Sequence, residues 1–208
     1  MAEIRAVVFD IGNVLVEWCP ERVYDPVVGP EGREHLLHTL GLHAMNEAVD
    51  AGAPFAESVA ALAARHPAHA AHILMWRDRW DAMFAPAIDG SVALLRGLRA
   101  RGVTLFALSN FGAETFARAE AMYPFLTEFD RRYISAHLRL IKPDPAIYAH
   151  VEADCGLPPE SLFFIDDRAD NIAAARARGW QGHVFEGAGP LAAELVARGL
   201  LAAGGAAS

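Results

Sequence analysis

Val7-Val8-Phe9-Asp10-Ile11-Gly12-Asn13-Val14-Leu15 is the stretch on which the reading of this chain turns. Residues 4–9 form a strand-length apolar run that ends on a carboxylate, Asp10. A carboxylate at the end of a buried strand is costly unless a metal, a cation or backbone N–H groups compensate it. Gly12, two residues on, lets the chain turn sharply and lets its backbone approach a ligand. Taken alone such a stretch is more often just a turn after a strand, and the rest of the chain has to decide.

Three more apolar runs of strand length follow at residues 103–108, 161–165 and 183–185, with a weaker one near 132–136. The first three runs end on Asp10, Ser109 and Asp166. Helical patterns separate them. Val92, Leu95 and Leu98 share a face before Gly102, and Ile147, Tyr148 and Val151 share one before Gly156. A further helix over 173–178 ends at Gly179, a C-cap residue. Strands alternating with helices predict an α/β fold, a doubly wound parallel sheet with helices on both faces. Ligands bind such sheets beyond the carboxyl ends of the strands. That is where Asp10, Ser109 and the Asp166-Asp167 pair are expected to meet.

Residues 16–86 break the rhythm. They read as helices, one near 55–65 and another near 68–84, with no convincing strand, and so as an inserted helical cap. The division expected is a core of residues 1–15 and 87–208 with a cap of residues 16–86. The Ala- and Gly-rich tail, 200–208, is expected to fray.

Slightly over half of the 208 residues are apolar, ample for a core, and formal net charge is −8 with no basic run. Nucleic acid and anionic membrane both require a basic footprint, so neither is expected as a partner. Two distant cysteines, Cys19 and Cys155, make no disulfide framework and read as buried thiols in a reducing compartment. The N-terminal apolar run is too short for a signal segment or a membrane span. A cytoplasmic protein, monomer or homodimer, is expected.

Leu108-Ser109-Asn110 can present a hydroxyl and a backbone N–H to an anionic oxygen. Lys142-Pro143-Asp144-Pro145 places a cation beside a stiff turn and a helix start. Phe164-Ile165-Asp166-Asp167-Arg168-Ala169-Asp170-Asn171 puts adjacent carboxylates at a strand end, where each raises the other's pKa without a counter-ion. A hard divalent cation resolves that repulsion, and Mg²⁺ favours a few carboxylates together with a substrate phosphate. Capping of the next helix is the competing explanation for the acidic run.

In this order and spacing the four segments resemble motifs I to IV of the haloacid dehalogenase-like superfamily. The first of them, Phe9-Asp10-Ile11-Gly12-Asn13-Val14, resembles its sugar-phosphatase-like branch. The resemblance covers nearly the whole chain, and the quartet is specific where no single member is. It implies Asp10 as the nucleophile and Ser109, the Asn110 backbone N–H and Lys142 as the phosphate-binding set. It implies Mg²⁺ as the cofactor, held by Asp10, the Gly12 carbonyl and Asp167, with Asp166 as a ligand or support. Asn171 stands where another Asp is frequent.

The chain departs from the family's phosphatases at Gly12, where they carry a second Asp that protonates the leaving group and later activates water. General acid–base catalysis contributes about 10²–10⁴-fold, so the loss matters. A leaving group that needs little protonation, such as an anomeric sugar phosphate, would account for it. So would a substitute from the cap, an ordered water, or a different reaction. A 2-haloacid dehalogenase, acting through an Asp10 ester without metal, also lacks that acid, although its fourth motif is not an acid pair. A non-catalytic binding protein is the third alternative. The substrate expected is a small phosphorylated metabolite, with sugar phosphates as the default. Trp18, Arg22, Met45, Trp76 and Trp80 read as pocket or core residues, and His66, His69 and His72 as surface residues without a metal.

Overall fold

A computed structural model describes residues 3–202; the end of the tail, 203–208, lies outside the described residues. In chain order the elements are β1 (Ala6–Phe9), β2 (Val16–Trp18), α1 (Glu21–Glu34), α2 (Leu42–Asp50), α3 (Phe55–Arg65), α4 (Ala70–Asp78), α5 (Trp80–Met83) and β3 (Phe84–Ala87). They continue as α6 (Asp89–Ala100), β4 (Thr104–Ser109), α7 (Ala113–Met122), β5 (Arg131–Ile134) and α8 (Ser135–Leu138). The chain closes with α9 (Pro145–Cys155), β6 (Leu162–Asp166), α10 (Ala169–Ala177), β7 (Gln181–Val184) and α11 (Ala188–Ala197).

The main sheet runs β5-β4-β1-β6-β7, and all its strands pair in parallel. Chain order therefore reverses at β1, which has β4 on one side and β6 on the other. The crevice for a ligand in a doubly wound sheet opens at such a switch point. Strand side chains alternate between two cores. Val7, Phe9, Leu105, Ala107, Phe163 and Ile165 pack on one face, and Ala6, Val8, Phe106, Leu108, Leu162 and Phe164 on the other. Both faces are covered by helices, which is why these strands read as unbroken apolar runs. Truncating the fully buried Phe9 or Phe164 to Ala would cost about 3–5 kcal/mol.

The helices follow their sequence cues. Val92, Leu95 and Leu98 of α6 and Ile147, Tyr148 and Val151 of α9 are all buried. The Asp144 carboxylate caps α9 by accepting from the Ala146 N–H at 2.8 Å, with Pro145 in the first turn. Gly179, after α10, takes φ 98°, a left-handed conformation that glycine adopts without strain.

Two expectations for residues 16–86 are corrected. The segment does contain strand: β2 and β3 pair antiparallel as a two-stranded ribbon. Val16-Glu17-Trp18 is too short to signal a strand, and Pro86 in β3 argues against one except at an edge. The helix expected at 68–84 is two, α4 and α5, broken at Arg79, where φ is −117°. Upstream, α1 is kinked at Gly29 (φ 70°) between Pro26 and Pro30. Among the described residues no helix is long and apolar enough to cross a membrane.

Candidate active site

Asp10, Ser109 and Asp166 stand at the carboxyl ends of the three central strands, β1, β4 and β6. Lys142, in the turn before α9, reaches into this group and is itself buried. Its ammonium lies 2.6 Å from Asp166 Oδ2 and 3.0 Å from Asp10 Oδ1, and it donates to the Leu108 carbonyl at 3.0 Å. Three acceptors match its three protons. Asn110 fixes the turn that carries it: the Asn110 amide donates to the Lys142 carbonyl at 2.9 Å and accepts the Lys142 N–H at 2.8 Å.

Asp166 is fully buried with both oxygens engaged. Oδ1 accepts from the Arg168 N–H at 2.8 Å, Oδ2 from Lys142, and Asn171 Nδ2 lies 3.0 Å from each. Asp167 faces outward beside it, half-buried, and accepts from the Asn13 amide at 3.1 Å. Asp10, Asp166 and Asp167 each offer an oxygen within 4.8 Å of the other two. A hard cation fits this all-oxygen donor set, and Asp10 and Asp167 are the members with capacity to spare.

The electrostatics follow from crowding. Burial pushes Asp10 up to about 7; Lys142 and the Ser109 hydroxyl pull it down, while Asp166 and Asp167 push it further up. Burial drives Asp167 up as well, against the Asn13 amide. Burial alone would lower Lys142, but Asp10 and Asp166 outweigh it and hold the ammonium above its ordinary value. The cation is thus permanent. The carboxylates are short of positive charge.

Over this edge opens a cleft of about 420 Å³. Its floor includes Asp10, Gly12, Ser109, Lys142 and Asp167, so the expected site residues converge, apart from Asp166, which lies beneath behind Lys142 and Asn171. One wall is aromatic, with Trp18, Trp80, Phe84 and Phe111; the other is a polar face of α2, with His43, Asn46, Glu47 and Asp50. Of the five residues named for the pocket, Trp18 and Trp80 line it, while Trp76 and Met45 are buried in the core. Arg22 instead pairs with Glu17 at 2.6 Å. His66, His69 and His72 are half-buried, not surface residues, and His69 packs edge-on against His35 at 5.4 Å. Cys19 and Cys155 are unpaired and half-buried.

The α2 wall went unread in the sequence. Its signal was present: His43, Asn46, Glu47 and Asp50 recur at helical spacing opposite Leu42, Met45 and Val49, which are buried. Burial drives Asp50 up to about 7; the Gly112 backbone N–H and Lys142 lower it, and Glu47 and Asp10 raise it.

The family model of haloacid dehalogenase-like hydrolases matches residues 4–179. Among named relatives, the drimenol cyclase drtB of Aspergillus calidoustus is 26% identical over 188 residues, covering 88% of this chain and 34% of that protein. The sesquiterpene phosphatase astK of Aspergillus oryzae is 32% identical over 90 residues, 43% of this chain and 46% of that protein. The chain thus spans between a third and a half of the length of these relatives. In fold it is similar to the enzyme bt-2542 of Bacteroides thetaiotaomicron, solved with magnesium and inorganic phosphate. That match has a TM-score of 0.70 and 21% identity over 88% of this chain and 95% of that one. It is similar also to the L-2-haloacid dehalogenase of Xanthobacter autotrophicus, with a TM-score of 0.61 and 18% identity over 99% and 85%. With that model spanning most of its length and the four segments gathered at one sheet edge, the chain belongs to the haloacid dehalogenase-like hydrolases.

Proposed function

We propose that this hydrolase is a Mg²⁺-dependent phosphatase of small phosphate monoesters that works through an aspartyl-phosphate on Asp10. The observation that carries the reading is a charge imbalance. Three carboxylates within 4.8 Å of one another face one ammonium, a sum of −2 when all are ionised. A divalent cation balances that sum, and a dianionic phosphoryl group can then approach. A departing halide would gain nothing from such a cluster, which disfavours the dehalogenase alternative.

In this reading Asp10, Asp167 and the Gly12 carbonyl hold Mg²⁺, and Asp166 anchors Lys142 from below. The bound cation supplies charge neutralisation at the phosphoryl oxygens. Asp10 attacks phosphorus in line and splits one hard displacement into two. Ser109, the Asn110 N–H and Lys142 take up the charge that spreads over those oxygens, at no cost in reorganisation because their positions are fixed beforehand. Residues 16–86 act as the cap that closes the cleft over the substrate and excludes water. The unpaired thiols suit a reducing compartment, the cytoplasm.

The polar α2 wall suits a sugar phosphate. The aromatic wall favours a second reading, an isoprenoid monophosphate, in keeping with the relative named a sesquiterpene phosphatase. A panel of sugar phosphates, isoprenoid monophosphates and a 2-haloacid, assayed with Mg²⁺ and with EDTA, tests all of this. Phosphate release that EDTA abolishes is the expected result. Halide release that survives EDTA would overturn the phosphatase assignment.

A further inference from the structure

Resting on that phosphatase reading, we propose that Asp50, at the C-terminal end of α2, is the acid and base of the reaction, supplying from the cap what Gly12 cannot. A Cβ built on Gly12 meets nothing within 4 Å. The first atom of a side chain therefore meets open space at the usual position, and no acid fills it. Asp50 lines the same cleft as Asp10, Ser109 and Lys142, from the wall that α2 builds. In-line attack by Asp10 would expel the leaving oxygen on the side of phosphorus opposite Asp10, away from the sheet edge and into the cleft that α2 helps to wall.

The carboxylate is held, not loose. Asn46 Nδ2 donates to Asp50 Oδ2 at 3.0 Å, and the Trp76 indole N–H in turn donates to Asn46 Oδ1 at 3.3 Å. The Gly112 backbone N–H, in the loop after Ser109, also donates to the Asp50 carboxylate. The Asp50 main-chain carbonyl accepts from the Ser135 hydroxyl at 2.6 Å, and Ser135 Oγ accepts the Phe111 N–H at 2.8 Å. One end of α2 is thereby fastened to the loop that carries the phosphate-binding residues. Such support is what a reacting side chain needs to stay within a fraction of an ångström of its position.

Among the described residues Asp50 has no Lys or Arg ion-pair partner. The charged groups that bear on it are Glu47 of its own helix, Asp10 after β1 and Lys142 before α9. Half-burial beside two further carboxylates favours the protonated form at the start of the cycle, which suits an acid working near neutrality.

The proton balance closes. As the Asp10–phosphorus bond forms and the ester P–O bond breaks, the Asp50 proton passes to the leaving oxygen and an alcohol departs. The Asp50 carboxylate then takes a proton from water as the water oxygen attacks the aspartyl-phosphate. The Asp10–phosphorus bond breaks, inorganic phosphate leaves, and Asp50 is again protonated.

The test uses Asp50→Asn with p-nitrophenyl phosphate and an alkyl phosphate in Mg²⁺. The aryl leaving group needs no proton, so the first step should survive and the second should stall. The expected result is a burst of about one nitrophenolate per chain followed by turnover lowered about 10²–10⁴-fold, with the alkyl ester showing the loss without a burst. Adding Gly12→Asp to Asp50→Asn should restore turnover. Wild-type turnover by the variant, or an equal loss on both esters with no burst and no rescue, would overturn the assignment and leave Asp50 a merely structural residue. If the amide variant does not fold, Asp50→Ser gives the same readout. A wild-type chain that hydrolyses no phosphomonoester defeats the phosphatase reading and this inference with it; an active wild type beside an indifferent variant defeats the inference alone.

Discussion

The Asn13 side-chain amide donates to the Asp167 carboxylate at 3.1 Å across 154 positions of chain. The same side chain accepts the Trp18 N–H through Oδ1 at 2.9 Å, and Asn13 itself sits at φ 56°, a conformation that Asn tolerates better than most residues. One residue thus ties the loop after β1 to the outward carboxylate and to the ribbon of β2 and β3. Supports of this kind typically govern metal affinity by about 10–100-fold. Asn13→Ala is expected to weaken Mg²⁺ binding by about that factor, measured by calorimetric titration, with Asp10 chemistry intact at saturating Mg²⁺.

Asp10→Asn should abolish turnover and keep the fold. The amide is isosteric and removes one negative charge from a cluster of three carboxylates. Steady-state assays should find no activity above the EDTA blank. Circular dichroism should be unchanged. An active variant would exclude Asp10 as the nucleophile.

Lys142→Met strips the Asp166 carboxylate of its cation in a fully buried position. Breaking a buried pair from one side costs about 3–5 kcal/mol. Urea unfolding in EDTA should report a loss of that size. Pairing it with Asp166→Asn should recover part of the stability and none of the activity.

Metal-free protein should lose stability as pH rises. Asp10 and Asp50 each titrate near 3.8 when unfolded and are raised to about 7 in the fold. The folded state therefore holds more protons between these values, and its advantage, complete below about pH 4, is lost as pH climbs through 7. Asp50→Asn removes one of the two groups. Thermal melts in EDTA should show a shallower decline for the variant than for wild type between about pH 4 and about pH 7. A wild type that gains stability across that interval relative to Asp50→Asn would contradict the burial assigned to Asp50.

Mg²⁺ should stabilise by mass action. At a hundred times its dissociation constant the gain is about 2.7 kcal/mol, or roughly 5–11 °C for a chain of this size. Asp167→Asn should erase the shift. The thermal shift reads binding without reference to turnover.

The fold and the floor of the site were largely legible in sequence, for a definite reason. Parallel strands covered on both faces must be apolar throughout, so a polar residue that ends such a run stands out; Asp10, Ser109 and Asp166 did. Edge ribbons leave no such mark. Val16–Trp18 has three residues and Phe84–Ala87 contains a proline, so neither could be told from loop.

Sequence by itself determined the sheet and the polar residues that end its central strands, because local apolar patterning specifies them. Tertiary structure alone decided which acid is spent anchoring Lys142 and which faces the cleft, since adjacent carboxylates look alike until their hydrogen bonds are seen. It decided too that Asp50, forty residues from Asp10 in the chain, shares the cleft with it. Helical spacing gives a polar face but not what that face looks upon; only the packing of α2 over the strand ends supplies that.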